Sequence, residues 1–158
     1  MVKIIAEIGI NHSGSIDECK KMMMLSKVAG CEYVKIQKRN PDICVPEHQK
    51  SVMRKTPWGE MTYLEYKHRL EFSEEQIKDL CNYAKEIDIE FFASVWDLDS
   101  VALMAKYTKI VKLGSPVIND LELLKATREA FDFVIMSTGM STEEEIEKAV
   151  EVAKPDVI

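Results

Sequence analysis

The feature that most constrains the fold of this 158-residue chain is a regular alternation of short apolar runs with longer amphipathic stretches. Five apolar runs predict β-strands, a sixth begins at the end of the sequence, and an amphipathic stretch that predicts a helix follows each complete run. The predicted strands are 3–8, 32–37, 89–94, 109–113 and 132–136, with the sixth at 156–158. The predicted helices are about 15–29, 73–87, 98–106, 120–130 and 142–153.

Four helix starts carry a capping residue that is followed three positions later by Glu or Gln. These pairs are Ser15 with Glu18, Ser73 with Gln76, Asn119 with Glu122, and Ser141 with Glu144. Such pairs satisfy backbone N–H groups that the first helical turn leaves without partners. Strands and helices that alternate in this way predict an α/β fold with a parallel sheet and right-handed crossovers. The sheet is expected to be either open and doubly wound or closed into a barrel.

The first strand–helix connection argues against a nucleotide-binding sheet. Residues 9–14 (GINHSG) match neither the dinucleotide fingerprint nor a P-loop. The predicted strands that start at 89, 109, 132 and 156 are 20, 23 and 24 residues apart, close to one unit of a (β/α) barrel. The spacing therefore favours the barrel.

A long insertion separates the second predicted strand from the next helix. It covers residues 39–72, contains three prolines and Gly59, and includes a predicted short helix near 61–70. A long segment that follows a strand is commonly an active-site loop. Residues 38–72 carry a net charge of +2, although the whole chain carries −6. The negative charge of the whole chain argues against nucleic acid as a partner, because phosphate backbones require a basic surface.

The remaining composition predicts a cytoplasmic protein with no membrane partner. Glu7 breaks the N-terminal apolar run, so this run predicts neither a signal peptide nor a spanning helix. The four cysteines form no CxxC pair, and no histidine lies at zinc-finger spacing from them. Free thiols in a reducing compartment are therefore expected.

Polar residues occur where the predicted strands end, which is where parallel barrels place their active sites. They are Glu7, Lys35, Gln37, Ser94, Lys112, Ser115 and Ser137. Lys35 and Gln37 alternate with apolar residues and so share one face of their strand. Lysines and hydroxyls suit a small anion that carries phosphate and carboxylate, and the glutamate suits acid–base chemistry. These residue types predict an anion-binding barrel enzyme.

Each of these residues also has a simpler interpretation, and two other chemistries stay open. A strand lysine can extend to solvent, and a serine before a helix is usually a cap. Asp97 and Asp99 match the nucleophile motif of haloacid dehalogenase-type phosphatases, although both also suit a helix N-terminus. Lys35 or Lys112 could form a Schiff base, as in aldolases.

Five segments together resemble the sialic acid synthase family, which includes N-acetylneuraminate synthase and its pseudaminic and legionaminic relatives. They are residues 6–14 (AEIGINHSG), 33–38 (YVKIQK), 91–97 (FFASVWD), 111–115 (VKLGS) and 136–141 (MSTGMS). The segments come in the family's order and span nearly the whole chain. The resemblance implies a (β/α)8 TIM barrel, of which residues 1–158 would be one partial domain that stops after about five and a half βα units. The C-terminal units and any antifreeze-like domain would lie outside this sequence.

The family's reaction is the condensation of phosphoenolpyruvate with N-acetylmannosamine or a related amino sugar, which gives a nonulosonic acid and phosphate. The resemblance assigns phosphoenolpyruvate binding to Lys35, Ser94, Lys112, Ser115 and Ser137. It assigns Glu7 a catalytic role near the sugar and the reacting carbons. Arg54 and residues 56–59 are expected to shape the sugar side. A non-catalytic barrel fragment is the alternative for the chain by itself.

The resemblance also implies a divalent metal, Mn²⁺ or Mg²⁺. A barrel that lacks its closing units leaves unpaired strand edges, which favour self-association, so a homodimer is expected. The family's metal-binding histidines come later than residue 158, and His12, His48 and His68 do not replace them by position. We therefore expect no metal ligands in this chain. Some relatives carry an acidic residue two positions after the serine that matches Ser115, but here that residue is Val117. An acid–base role at this position is therefore excluded.

Overall fold

The computed structural model describes residues 2–158 and contains a parallel sheet with helices on one face, plus an inserted hairpin. The strands are β1 (Ile5–Gly9), β2 (Tyr33–Lys38), β3 (Met53–Thr56), β4 (Gly59–Thr62), β5 (Glu90–Val95), β6 (Ile110–Leu113) and β7 (Phe133–Met136). The helices are α1 (Ile16–Val28), α2 (Pro41–Cys44), α3 (Glu47–Lys50), α4 (Tyr63–Leu70), α5 (Glu74–Glu86), α6 (Leu98–Met104), α7 (Leu121–Ala130) and α8 (Glu143–Ala153). A short 3₁₀ helix, Ser115–Val117, follows β6.

The main sheet has the strand order β1-β2-β5-β6-β7, and every neighbouring pair is parallel. This confirms the predicted α/β class, and each predicted strand and main helix lies within two residues of its predicted bounds. Val157 forms a parallel bridge with Ile135 where the sixth strand was expected. Over residues 2–158 the sheet is open, so the closed eight-stranded barrel stays a prediction.

The two faces of the main sheet have different environments. Alternate strand residues such as Val34, Ile36, Val111 and Val134 are buried in the hydrophobic core that the helices cover. The opposite face lines a cavity of about 600 Å³, with side chains contributed by all five strands and by Val157. Because residues of the first and last strands line one cavity, this face is curved inward, as in a barrel.

Two of the four predicted helix caps are confirmed and two lie one residue away. Ser15 and Ser73 accept hydrogen bonds from backbone N–H groups three residues later. The prediction of Asn119 and Ser141 as caps was wrong, because Asp120 and Thr142 cap α7 and α8. Asp and Thr also cap helices well, so sequence alone does not choose between such neighbours.

The insertion contains more structure than its sequence predicts. The predicted helix near 61–70 occurs as α4, but the antiparallel hairpin of β3 and β4 and the short helices α2 and α3 were not predicted. The hairpin strands are only four residues long and largely exposed. They therefore lack the alternation of apolar and polar residues that marks a half-buried strand.

The first strand–helix connection packs against the end of the insertion. The His12 ring is buried and stacks on Phe72, with ring centroids 4.2 Å apart. Gly14 has a positive φ of 75°, and a Cβ atom at this position would lie 2.1 Å from the Arg69 carbonyl oxygen. Only glycine fits such a close backbone approach, so the motif of residues 9–14 has a structural function.

Candidate active site at the strand ends

Strand alternation places the predicted polar residues on the cavity face of the sheet, at its C-terminal edge. Glu7 and Lys35 are partners across β1 and β2. Gln37 is the partner of Ser94 across β2 and β5, and Ser94 is the partner of Lys112 across β5 and β6. The parallel register therefore brings residues that are far apart in sequence into one row.

Lys35 is the centre of this row. Its side chain is 4% exposed, and its ammonium lies 2.7 Å from the Glu7 carboxylate and 2.6 Å from the Ser94 hydroxyl oxygen. The Glu7 side chain is about half exposed. The sequence-predicted residues Glu7, Lys35 and Ser94 are therefore in direct contact, with one side of the group open to solvent.

Burial has an electrostatic consequence at Lys35. Loss of solvent around the ammonium lowers the pKa of Lys35, and the hydrogen bond and charge of Glu7 oppose this shift. The positive charge of Lys112 lowers the pKa of Lys35 further, since two nearby cations repel each other. An anion bound between Lys35 and Lys112 would relieve that repulsion.

The other two predicted residues follow the next strands at the same edge. Ser115 begins the 3₁₀ helix after β6, and Ser137 follows β7, where its backbone N–H donates to the Leu113 carbonyl. A Cβ atom on Gly139 would lie 3.6 Å from the Ser115 hydroxyl oxygen, so the two strand ends are close together. Val117 is buried at the end of the 3₁₀ helix.

Sequence analysis missed the polar side chains that fix Gln37. The Arg39 guanidinium donates from Nη2 to the Gln37 carboxamide oxygen at 3.0 Å and from Nε to Glu71 at 2.8 Å. Glu71 also accepts from the Lys38 ammonium at 3.3 Å. Glu71 is 32 residues from Arg39 in sequence, so no local pattern indicates the pair.

The structure gives Asp97 a capping role. One carboxylate oxygen accepts from the Ser100 backbone N–H at 2.8 Å, and the other accepts from the Asn40 backbone N–H at 2.7 Å and from the Ser100 hydroxyl at 2.9 Å. The Cys44 thiol also lies 3.3 Å from this second oxygen. Asp97 is buried, so these contacts support the helix-capping interpretation over that of a phosphatase nucleophile.

Arg54 and residues 56–59, which are expected to shape the sugar side, make contacts within the insertion. The Arg54 guanidinium stacks over the Tyr63 ring at 4.4 Å, and the Arg69 guanidinium stacks over the Trp58 ring at 4.5 Å. That these residues shape a sugar site stays a prediction.

All four cysteines are free: Cys19, Cys31, Cys44 and Cys81.

Among residues 2–158 there is no group of three or more His, Cys, Asp or Glu side chains arranged to hold a metal. No helix in the same range is long and apolar enough to cross a membrane.

Comparisons with known proteins agree with this geometry. The chain is 37% identical to N-acetylneuraminate-9-phosphate synthase of Drosophila melanogaster, over 97% of this chain and 42% of the relative. It is 33% identical to the N,N'-diacetyllegionaminic acid synthase of Campylobacter jejuni, over 94% of this chain and 46% of the relative. The chain thus spans a little under half the length of these relatives.

Solved structures show the same similarity in three dimensions. The N-acetylneuraminic acid synthetase of Leptospira borgpetersenii superposes with a TM-score of 0.86 at 25% identity, over 99% of this chain and 52% of that protein. A truncated 3-deoxy-D-arabino-heptulosonate 7-phosphate synthase of Thermotoga maritima superposes with a TM-score of 0.67 at 14% identity, over 96% of this chain and 47% of that protein, a similarity of fold alone. The model of the NeuB family matches residues 22–157. The chain therefore belongs to the NeuB family of sialic acid synthases.

Proposed function

We propose that the protein containing this chain condenses phosphoenolpyruvate with an amino sugar to give a nonulosonic acid and phosphate. The observation that carries this proposal is the contact of the Lys35 ammonium with both Glu7 and Ser94, next to Lys112, at the C-terminal edge of the sheet. Curated relatives are named as synthases of N-acetylneuraminate 9-phosphate and of diacetyllegionaminic and pseudaminic acids. These names support the reaction class.

The proposed reaction forms one carbon–carbon bond and breaks one carbon–oxygen bond. The C3 carbon of phosphoenolpyruvate attacks the aldehyde carbon of the open-chain sugar, and the aldehyde oxygen takes up a proton. Water then adds at C2 and loses one proton. The bond between C2 and the phosphate oxygen breaks, phosphate leaves with the bonding electrons, and the remaining C2 hydroxyl loses its proton to form the ketone. The product is a 2-keto acid, and the sum of phosphoenolpyruvate, sugar and water equals the acid and phosphate.

The strand-end residues suit the anion in this reaction. Lys35 and Lys112 provide positive charge for the carboxylate and phosphate, and Ser94, Ser115 and Ser137 provide hydroxyl donors. Donors that are fixed before the substrate arrives stabilise charge without reorganisation during the reaction. Lys35 is fixed in this way because it is buried and already hydrogen-bonded.

Glu7 suits proton transfer or the binding of a sugar hydroxyl. Its carboxylate contacts Lys35, yet about half of the Glu7 side chain stays exposed on the side where the sugar would enter. A carboxylate with free acceptor positions can accept a hydrogen bond from a hydroxyl or a proton from attacking water. We therefore assign Glu7 to the sugar side and the two lysines to phosphoenolpyruvate.

Phosphate release tests the proposal. The full-length natural protein that contains this chain is mixed with phosphoenolpyruvate, Mn²⁺ and either N-acetylmannosamine or its 6-phosphate. Release of inorganic phosphate that requires both phosphoenolpyruvate and the sugar is the expected result. Release without sugar, or no release with a panel of amino sugars, would contradict the condensation.

One observation favours a second candidate, a Schiff-base aldolase. The lowered pKa of Lys35 increases the fraction of neutral amine, which is the form that attacks a carbonyl. Borohydride treatment in the presence of pyruvate would then add mass to a peptide that contains Lys35. We expect no such adduct, because the Lys35 side-chain nitrogen is held between Glu7 at 2.7 Å and Ser94 at 2.6 Å and would have to leave both contacts to attack a carbonyl.

A further inference from the structure

Gln37 belongs to the strand-end row, but the proposed reaction gives it no role. Its partner across β2 and β5 is Ser94, and the partner of Ser94 across β5 and β6 is Lys112. Paired residues of parallel strands point their side chains to the same face of the sheet. The Gln37 carboxamide therefore lies at the level of a hydroxyl and an ammonium that are both assigned to phosphoenolpyruvate.

Arg39 determines which end of this carboxamide is free. The Arg39 Nη2 atom donates to the Gln37 carboxamide oxygen at 3.0 Å. A guanidinium has donors and no acceptor, so only the oxygen end of a carboxamide can face it. The NH₂ group of Gln37 is left at the other end, and it forms no hydrogen bond within residues 2–158. Gln37 thus has two N–H donors without a protein partner in this range.

Arg39 is itself held in place by several contacts. Its Nε atom donates to the Glu71 carboxylate at 2.8 Å, and its backbone N–H donates to the same carboxylate at 3.2 Å. The guanidinium also lies over the Trp96 ring, 5.6 Å from the ring centroid. Both side chains of the Arg39–Glu71 pair are 8% exposed. Because Glu71 compensates its charge, Arg39 is suited to orient a neighbouring side chain and not to bind an anion itself.

A neutral donor has an advantage at the position of Gln37. Burial lowers the pKa of Lys35, and the positive charge of Lys112 lowers it further because the two cations repel each other. A third cation in the row would increase this repulsion, whereas a carboxamide adds hydrogen-bond donors without adding charge. The carboxamide helps only if its NH₂ end faces the anion, since its oxygen end would repel one.

We infer that Arg39 is a positioning residue for phosphoenolpyruvate binding, because it fixes the Gln37 NH₂ group as a donor to the bound anion. The inference rests on the condensation proposed above, which supplies this anion. Without Arg39 the carboxamide can rotate about its last bond, and neither end is favoured. Binding of the anion must then select one orientation, which costs conformational freedom. A donor that is fixed before the anion arrives avoids this cost.

A double-mutant cycle on the full-length natural protein tests this role. Isothermal titration calorimetry measures the Kd of phosphoenolpyruvate for the unmodified protein, Gln37→Met, Arg39→Met and the double variant. Gln37→Met should raise Kd by about 10- to 100-fold, as expected for the loss of a hydrogen bond to a charged group. Arg39→Met should raise Kd by about five- to tenfold. The double variant should bind no more than about twofold less tightly than Gln37→Met, because Arg39 acts through Gln37.

Arg39→Lys separates orientation from folding. Arg39→Met leaves the Glu71 carboxylate with Lys38 at 3.3 Å as its remaining cation, so that variant loses stability as well. Arg39→Lys keeps a positive charge for Glu71 but replaces the planar guanidinium by an ammonium that rotates freely. We expect thermal unfolding close to that of the unmodified protein, with a Kd for phosphoenolpyruvate that is still raised by about three- to tenfold. A merely structural role would restore both properties.

Lys55→Met is the control for a general change in charge. Lys55 is an exposed residue of the hairpin. Its substitution removes one positive charge of the insertion, as Arg39→Met does, and Kd should stay within about twofold of the unmodified value because solvent screens an exposed charge. Turnover gives a second measurement: Arg39→Lys should raise KM for phosphoenolpyruvate and change KM for the amino sugar by less than about twofold.

Each outcome has a definite consequence. Losses of affinity that multiply in the double variant, or an unchanged Kd in Gln37→Met or Arg39→Lys, would overturn the positioning role, as would an effect on KM for the sugar alone. Titration with phosphoenolpyruvate requires no sugar. Absence of phosphate release with every amino sugar would therefore contradict the condensation, while the cycle still decides the role of Arg39. If the unmodified protein did not bind phosphoenolpyruvate, both proposals would fail.

Discussion

Two polar groups of this molecule look similar in sequence and differ in how completely they are bonded. The strand-end group consists of Glu7, Lys35, Ser94 and Lys112. The capping group surrounds Asp97 at the start of α6, where four donors converge on one buried carboxylate. In the strand-end group Glu7 is half exposed, and Lys112 has no ion-pair partner among residues 2–158.

The difference shows how to distinguish polar residues that stabilise the fold from polar residues that can bind a ligand. A buried polar group that is fully hydrogen-bonded stabilises one arrangement of the chain and has nothing left to offer a ligand. A group that combines fixed cations with free donors gains more from a bound anion than from any contact within the protein. Burial alone does not distinguish the two, since Lys35 and Asp97 are both 4% exposed.

The largest expected effect is on activity, when the strand-end group loses its buried cation. Lys35→Met keeps a similar volume and removes the charge that contacts Glu7 and Ser94. We expect kcat/KM for condensation to fall by about 10²- to 10³-fold, as for removal of a preorganised donor. Removing one partner of an ion pair is strongly destabilising only when the other charge is left buried. Water can solvate the half-exposed Glu7 carboxylate, so the free energy of unfolding should fall by no more than about 1–2 kcal/mol.

Lys3→Met is the matched control for this prediction. Lys3 precedes β1, is exposed, and donates to the Tyr33 hydroxyl at the opposite end of the strands. Its substitution should change neither activity nor unfolding measurably. The comparison fails if Lys35→Met unfolds the protein while Lys3→Met does not, because Lys35 would then be a structural residue like Asp97.

The capping group should show the opposite behaviour. Asp97→Asn exchanges one acceptor oxygen for an NH₂ group that faces backbone and hydroxyl donors. The weakened helix cap and the buried unsatisfied donor together should reduce the free energy of unfolding by about 3–4 kcal/mol. Chemical denaturation measures this loss, and the fraction that stays folded should keep the unmodified value of kcat.

Asp99→Asn provides the control for Asp97. Asp99 is exposed and accepts one hydrogen bond, from the Asn40 side chain at 2.9 Å. Water can replace that partner, so the expected loss is less than about 0.5 kcal/mol. Equal losses for the two substitutions would mean that the burial of Asp97 contributes nothing, and the contrast between the groups would not hold.

The sequence predicts the strand-end group far better than the capping group or the insertion. Lys35 and Gln37 could be assigned to one face because strand side chains alternate, and parallel strands bring their ends to one edge. No comparable rule connects Arg39 with Glu71, or Asp97 with Asn40, since these contacts join segments 32 and 57 residues apart. The hairpin was missed because its residues are mostly exposed and carry no apolar period.

The smallest expected effect is a change in the pH dependence of stability, and it comes from His12. It tests whether the contact between the first strand–helix connection and the insertion is fully bonded, like the capping group. Its buried ring accepts from the Gly14 N–H at 3.0 Å, and burial lowers the pKa of His12 from 6.5 to about 4. The unfolded chain therefore takes up a proton below about pH 6.5 that the folded chain takes up only near pH 4. The free energy of unfolding should thus fall as the pH falls through this range, by about 2 kcal/mol between about pH 7.5 and about pH 5.

His12→Asn keeps an acceptor for Gly14 and cannot titrate, so it should lower stability at neutral pH by removing the stack on Phe72 and also remove this part of the pH dependence. Carboxylates contribute equally to both proteins, so the difference between their pH profiles isolates the histidine. Parallel profiles would mean that the folded and unfolded chains protonate His12 at the same pH, and the contact with Phe72 would then not resist a buried charge.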